Sequence, residues 1–363
     1  MKTSATLLKI CSDGIRFTRL TIISLFNMTR PGFQLVILSI AFAFQLQAQD
    51  PNFSQFWSSP LNVNPALTAN INGDWRTIMN FRNQWIGPTS PYVTGTISFD
   101  AKLMQGKLSE GQRFGAGAML MYDKTMSGVI KSTYGSANVS YNILLAEGTG
   151  RNYIGAGVGL IYGHKRMDWS RATFGEQYNG RGFDINLPTG ESALSNMKPY
   201  LSGSVGMTYT YQNEIANFDI GMAAFHVNKP RQSFLSDEKQ RLAPRFVMHA
   251  NYERDINESV VFTANGIFQR QTTASYYSIG GGLGYIMDEE FNTSLSGGVW
   301  YWAENAIVPY LGATYKNLQL GFSYDVLISK LKNSPGVRST WEVSLIIRDL
   351  KDIAGVIYCP PWK

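Results

Sequence analysis

The sequence predicts an all-β fold, a transmembrane antiparallel β-barrel of about fourteen strands with an irregular N-terminal plug-like segment. Three observations carry this expectation. From Trp75 onward, apolar residues alternate with small or polar ones at period two, which is the spacing of a strand with one greasy and one wet face. Behind residue 49 no apolar run reaches the roughly 18 residues that argue for a membrane helix, so a chain that spans a bilayer must do so as a closed barrel. The connections between segments mostly alternate between short polar turns and longer, Pro-containing loops, the asymmetry of an outer-membrane barrel, with a longer inner connection at 101–111 and short outer ones at 271–273 and 303–304 as exceptions.

Residues 1–49 read as an extended presequence with a signal peptide. Met28 is the expected true start: Arg30 supplies a positive region, Phe33 to Phe44 a mostly apolar one, and Leu46-Gln47-Ala48 an approach to cleavage after Ala48 or Gln49. Met1 to Asn27 is then a misassigned upstream start or a longer positive region. The alternative, an uncleaved anchor helix, has an apolar run shorter than the roughly 20 residues that cross a bilayer. Removing the presequence takes away Lys2, Lys9, Arg16, Arg19 and Arg30 against Asp13, so the formal charge falls from +6 to +2. No compact Lys/Arg cluster remains, and nucleic acid is not an expected partner. Cys11 leaves with the presequence and Cys359 stands alone, so no intramolecular disulfide forms. Lys9 and Ile10 before Cys11 also make a poor lipoprotein site.

Residues 50–74 are rich in Asn, Ser and Pro, with Pro51, Pro60 and Pro65 interrupting any ladder. The segment is expected to fold irregularly inside or beneath the barrel, on its periplasmic side, and to plug or narrow the lumen. Asn64-Pro65 favours a fixed turn, and Arg82, Asn83, Gln84 and Trp85 cluster polar groups at the end of the first strand.

The barrel is expected over 75–348, with strands near 75–83, 92–100, 112–123, 130–145, 151–166, 197–212, 215–228, 243–254, 258–270, 274–287, 291–302, 305–315, 317–328 and 339–348, and a periplasmic tail over 349–363. Leu201, Val205, Met207, Tyr209 and Tyr211 against Ser202, Ser204, Thr208 and Thr210 show the alternation most plainly. In 154–162 and 277–285 the second face is largely glycine, which permits close packing, plug contact or bending. Short turns at 147–151, 212–214, 255–257, 288–290 and 316–317 belong to the periplasmic side, and loops at 167–196, 229–242 and 329–338 to the outside. Aromatics at strand ends, among them Tyr122, Tyr141, Tyr162, Tyr211, Tyr252, Tyr285, Trp300, Tyr301, Trp302, Tyr315 and Tyr324, would form interfacial girdles. A soluble sandwich would show similar local alternation, but not the signal peptide and the turn asymmetry together.

Three histidines invite a catalytic search. A Ser acting with His226 or His249 is the one enzyme reading with a chemical basis, and no serine sits in a distinctive nucleophile motif. No enzyme, cofactor or metal is expected, because the histidines lack ligand spacing. Asp237 and Glu238, beside Lys239 and Arg241, read as a solvated loop. GGGLG at 280–284 is followed by no helix and reads as strand, not as a nucleotide loop.

Separated blocks occur in an order that resembles one family. They are FSQ at 53–55, NPA at 64–66 and RNQW at 82–85, then FHVNKP at 225–230 with Ser233 and Phe234, and MHANYE at 248–253. KNLQLGFSYDVLISKL at 316–331, TWEVSLII at 340–347 and Cys359-Pro360 complete the series. The succession resembles the PorP/SprF family, outer-membrane barrels tied to type IX secretion and gliding in Bacteroidetes. The resemblance implies a non-enzymatic outer-membrane component that docks periplasmic ring subunits or a peptidoglycan-binding protein and/or a secreted surface adhesin, with outer-membrane lipid around it. It marks Asn64, Pro65, Arg82, Asn83, Gln84, Trp85, His226, Asn228, Pro230, Tyr324 and Asp325 as structural or partner-docking positions. Whether the role is that of the core apparatus or of a helper for one adhesin stays open. The alternative is an outer-membrane channel or transporter for small solutes, since a polar inner face can line a pore. One departure from common barrels is that the last expected strand ends near Arg348 instead of at a terminal aromatic.

Overall fold

The structure, a computed structural model, describes residues 50–71, 73–86, 91–169, 172, 174–190, 197–232, 240–288, 292–329 and 339–349. The presequence, the tail beyond Asp349, Ser233, Phe234, the Asp237/Glu238 pair and most of the 288–290 turn lie outside the described residues.

Strands β1 (Trp75–Ile86), β2 (Tyr92–Leu103), β3 (Gln112–Thr125), β4 (Ile130–Glu147), β5 (Arg151–Met167), β6 (Tyr200–Gln212) and β7 (Ala216–Phe225) form the first half of the barrel. The second half is β8 (Arg245–Asn257), β9 (Val260–Gln271), β10 (Ala274–Asp288), β11 (Thr293–Trp302), β12 (Ala306–Tyr315), β13 (Leu318–Tyr324, continued by Val326–Leu327 after a break at Asp325) and β14 (Ser339–Arg348). Each strand pairs antiparallel with its neighbours in sequence, and β14 pairs with β1 from Arg76↔Arg348 to Asn83↔Trp341, so the sheet closes as a 14-strand barrel. Among the described residues no helix is long and apolar enough to cross a membrane. The ladders pair the backbone polar groups of neighbouring strands around the closed wall, which is what lets a barrel sit in hydrocarbon.

The wall is apolar outside and polar inside. Phe81, Ile97, Leu120, Val139, Val158, Val205, Met222, Phe246, Ile279, Val299, Leu311 and Leu320 all point outward and are exposed. The alternate positions, such as Asn80, Thr96, Asp100, Asn138, Ser140, Ser204, Glu253, Asn265, Ser323 and Glu342, are buried in the lumen. An exposed face of this composition is stable only against lipid. We expect Val205→Arg, mid-strand on β6, to cost about 2–4 kcal/mol in equilibrium unfolding from phospholipid bilayers, since a charge on the lipid face loses its hydration.

Most of the strand-end aromatics assigned to girdles do face outward, Tyr122, Tyr162, Tyr285, Tyr301 and Tyr315 among them. Trp300 and Trp302 do not: Trp300 is 1% exposed and lies in the lumen, and Trp302 packs there against Tyr276 and Arg82, because both take the inward phase of β11 while Tyr301 between them takes the lipid side.

Candidate functional site

The lumen is occupied by the chain's own residues 50–74. Short turns fold this segment, namely 3-10 turns at Phe56–Ser58 and Pro65–Leu67 and one α-turn at Pro60–Val63, with Pro60 and Pro65 each at a first helical position where the missing N–H costs nothing. The segment begins at the end of the barrel that carries the long loops, beside Phe225, Arg245 and Gln271, and reaches Trp75 at the end that carries the short turns. Phe53, Phe56, Trp57, Leu61, Val63, Ala66 and Leu67 are all at most 3% exposed.

Four groups of contacts fix it. At the loop end, the Asp50 N–H donates to Gln271 Oε1 (3.1 Å), its carboxylate lies 2.8 Å from His226 Nε2 and 3.3 Å from Arg245 Nε, and His226 Nδ1 lies 2.7 Å from Ser202 Oγ. Burial works against the Asp50 charge, but His226 and Arg245 outweigh it and hold the carboxyl well below the usual carboxylate range. Ser202, His226 and Asp50 have the connectivity of a nucleophile, base and orienting acid; Ser202 is 0% exposed, and the relay links β6, the residue after β7 and the plug.

Next along the segment is a polar clamp on β1, β13 and β14. Arg82 donates through Nη2 to Asp325 Oδ2 (2.9 Å) and through Nη1 to Ser54 Oγ (2.7 Å), and pairs with Glu342. Glu342 accepts from the N–H groups of Ser54 (2.6 Å) and Gln55 (2.8 Å), and Ser54 Oγ donates to Asp325 Oδ2 (2.9 Å). The Gln55 amide takes Ser323 Oγ (3.0 Å) as acceptor and Ser344 Oγ (2.8 Å) as donor. Beside this clamp, Trp57 lies over Trp300 with centroids 4.1 Å apart and meets the edge of Tyr310 at 5.5 Å, and Trp300 Nε1 donates to Asn265 Oδ1 (2.7 Å).

In mid-lumen, Asn64 Oδ1 accepts from Ala66 N–H (2.9 Å), which caps the Pro65–Leu67 turn. Its Nδ2 donates to the facing carbonyls of Met207 (3.1 Å) and Met222 (3.3 Å) and lies 3.1 Å from His249 Nε2. At the turn end, Arg76 grips Asp100 through two 2.9 Å bonds and the Leu67 carbonyl at 3.0 Å, while Asp100 accepts from Ala69 N–H.

The inward glycines explain how the segment fits. A Cβ on Gly157 would meet the backbone of Pro65 and Ala66; on Gly206, Asn64 and Pro65; on Gly115, Thr68 and Ala69; on Gly321, Gln55. Gly280 and Gly298 let the Trp300 ring lie flat on the wall. Gly157→Val is expected to expel the Pro65–Leu67 turn or destabilise the barrel by about 1–3 kcal/mol, the usual cost of overpacking. Faster cleavage of the plug by added protease, with the barrel fragment surviving, is the measurement.

Of the positions marked in the sequence, Asn64, Pro65, Arg82, His226 and Asp325 come together with the plug. Gln84 touches this group only through a 3.4 Å contact from Arg82 Nε, and Asn83 lies beside it at the β1–β14 seam. Trp85 has a positive φ of 59°, packs on Tyr92 (5.0 Å) and donates its N–H to Thr340 Oγ1 (3.2 Å), where the β1–β14 ladder becomes irregular. Asn228 closes the β6–β7 corner by accepting from Gly203 N–H (3.1 Å) and donating to the Leu201 carbonyl (2.9 Å). Pro230 accepts from Leu242 N–H (2.9 Å) in the loop beyond, and Tyr324 faces outward. Asp50, Gln55, Arg76, Asp100, Arg245 and Glu342 were not singled out. Each wall residue among them is an ionisable group at the inward phase of a strand, and that phase was the available signal.

A cavity of about 30 Å³ remains near the loop end, lined by Asp50, Leu61, Tyr134, Phe225, His226 and Arg245. At the turn end a polar concavity of about 720 Å³ opens among Lys102, Arg113, Glu147, Arg151, Gln212 and Glu214. Among the described residues no group of three His, Cys, Asp or Glu is placed to hold a metal ion.

Residues 45–347 match the family described as "Type IX secretion system membrane protein PorP/SprF". Comparison with curated proteins gives no match. Among solved structures, the Pseudomonas putida toluene transporter TodX is similar at 11% identity and a TM-score of 0.45, over 78% of this chain and 92% of that one. A Pseudomonas aeruginosa FadL homologue is similar at 10% identity and a TM-score of 0.43, over 78% and 92%. CdiB from Acinetobacter baumannii is similar at 9% identity and a TM-score of 0.40, over 76% and 60%.

Proposed function

Because the chain belongs to the PorP/SprF family of type IX secretion system membrane proteins, we propose that this outer-membrane barrel serves the secretion machinery as a plugged, non-enzymatic docking platform. The observation that carries the proposal is the lumen, filled along its length by residues 50–74 and tied to the wall at four levels. A barrel stoppered in this way offers partners its two ends. The polar concavity at the short turns suits periplasmic secretion subunits or a peptidoglycan-binding protein. The long loops over 168–199 and 226–244 suit a secreted adhesin on the cell surface. Export by a cleaved signal peptide, with outer-membrane lipid around the wall, belongs to the same proposal.

Deleting the gene and measuring both protein secretion and small-solute uptake tests it. Loss of surface adhesin or of secreted cargo with normal uptake is the expected result. Loss of uptake with normal secretion would replace the platform by a solute channel, for which the polar wall would be suited once the plug moved out.

A further inference from the structure

We propose that Ser54 and Gln55 form a strap that holds the barrel shut at the short seam between β13 and β14, so that plug and wall make one coupled gate. The β13–β14 ladder runs only from Leu318↔Ile347 to Tyr324↔Trp341, whereas β4 and β5 pair from Ile130 to Glu147. Asp325 leaves the ladder and splits β13 into two pieces. Its N–H still donates to the Thr340 carbonyl (2.9 Å), but its side chain turns into the lumen toward Glu342 of β14. The seam therefore carries two carboxylates on facing strands, both below 3% exposed, against the single guanidinium of Arg82.

Two anions on one cation leave a net negative charge out of water, which is stable only if further donors reach it. The strap supplies them: Ser54 N–H and Gln55 N–H to Glu342, and Ser54 Oγ–H to Asp325. Gln55 also bridges the strands directly, from Ser323 of β13 to Ser344 of β14. With the strap withdrawn, those donors go with it, and Asp325 and Glu342 repel across a ladder of seven paired residues among the described ones. The seam then parts toward the lipid while the long ladders stay paired. The coupling runs both ways, since whatever holds the seam shut also holds the plug in.

Hydrogen exchange of the intact protein in lipid nanodiscs tests the proposal. Ser54→Pro with Gln55→Pro, which removes both backbone donors together with the two side chains, is expected to speed exchange of the Leu318–Tyr324 and Trp341–Ile347 amides about tenfold or more, leaving β4 and β5 unchanged. Adding Asp325→Asn, or Glu342→Gln if that variant folds better, is expected to restore protection at the seam, because the repulsion is gone. Unchanged exchange at the seam in the strap variant, equal acceleration around the whole barrel, or failure of both neutral variants to restore protection would each overturn it.

Discussion

Arg82→Met is expected to destabilise the barrel by roughly 3–5 kcal/mol, the cost of removing one partner from a buried ion pair. The methionine keeps most of the side-chain volume, so the loss is electrostatic more than steric. Asp325 and Glu342 would face each other with only the strap donors between them, and Ser54 Oγ would lose the guanidinium it accepts from. Urea unfolding from bilayers measures the loss. Glu342→Gln in the Arg82→Met background is expected to recover part of it, since one of the two unpaired charges is then gone. A loss below about 1 kcal/mol would mean that water in the lumen solvates these groups, as at an ordinary surface pair.

Trp57→Ala is expected to cost about 3–5 kcal/mol, the range for removing a buried aromatic. Trp57 is 1% exposed and packs between Phe56, Trp300 and Tyr310. Its removal opens a cavity whose floor, the Trp300 ring, is pinned to Asn265 and seated on Gly280 and Gly298, so the site cannot collapse. The same unfolding experiment reads the cost, and protease sensitivity near residue 57 reads the loosening of the plug. Trp57→Phe should keep more than half of the contact.

Much of this was legible before the structure. Period-two alternation placed all fourteen strands, because a wall between lipid and a polar lumen gives each residue only two choices of side. The proline spacing of 50–74 foretold an irregular plug-like segment. Its course was not legible: the segment runs from the loop end of the lumen to the turn end, and the partners that fix this, Asp50 with His226 and Asn64 with His249, are 176 and 185 residues apart in sequence. Trp300 shows the other limit. An aromatic at a strand end satisfies a girdle and a lumen equally well, and only the phase shared with Asn265 and Tyr310 across neighbouring strands decides between them. Glycine on the inward face read as permission for close packing; what lies against it became visible only when Pro65 and Ala66 were found on Gly157.

Residues 50–71 of the chain itself close the lumen. Single-channel recording in planar bilayers tests this most directly, with the protein lacking residues 50–71 as the open comparison. The intact protein is expected to show no steady conductance, while the deleted form conducts. A large, stable conductance from the intact protein would mean that the plug leaves the lumen open.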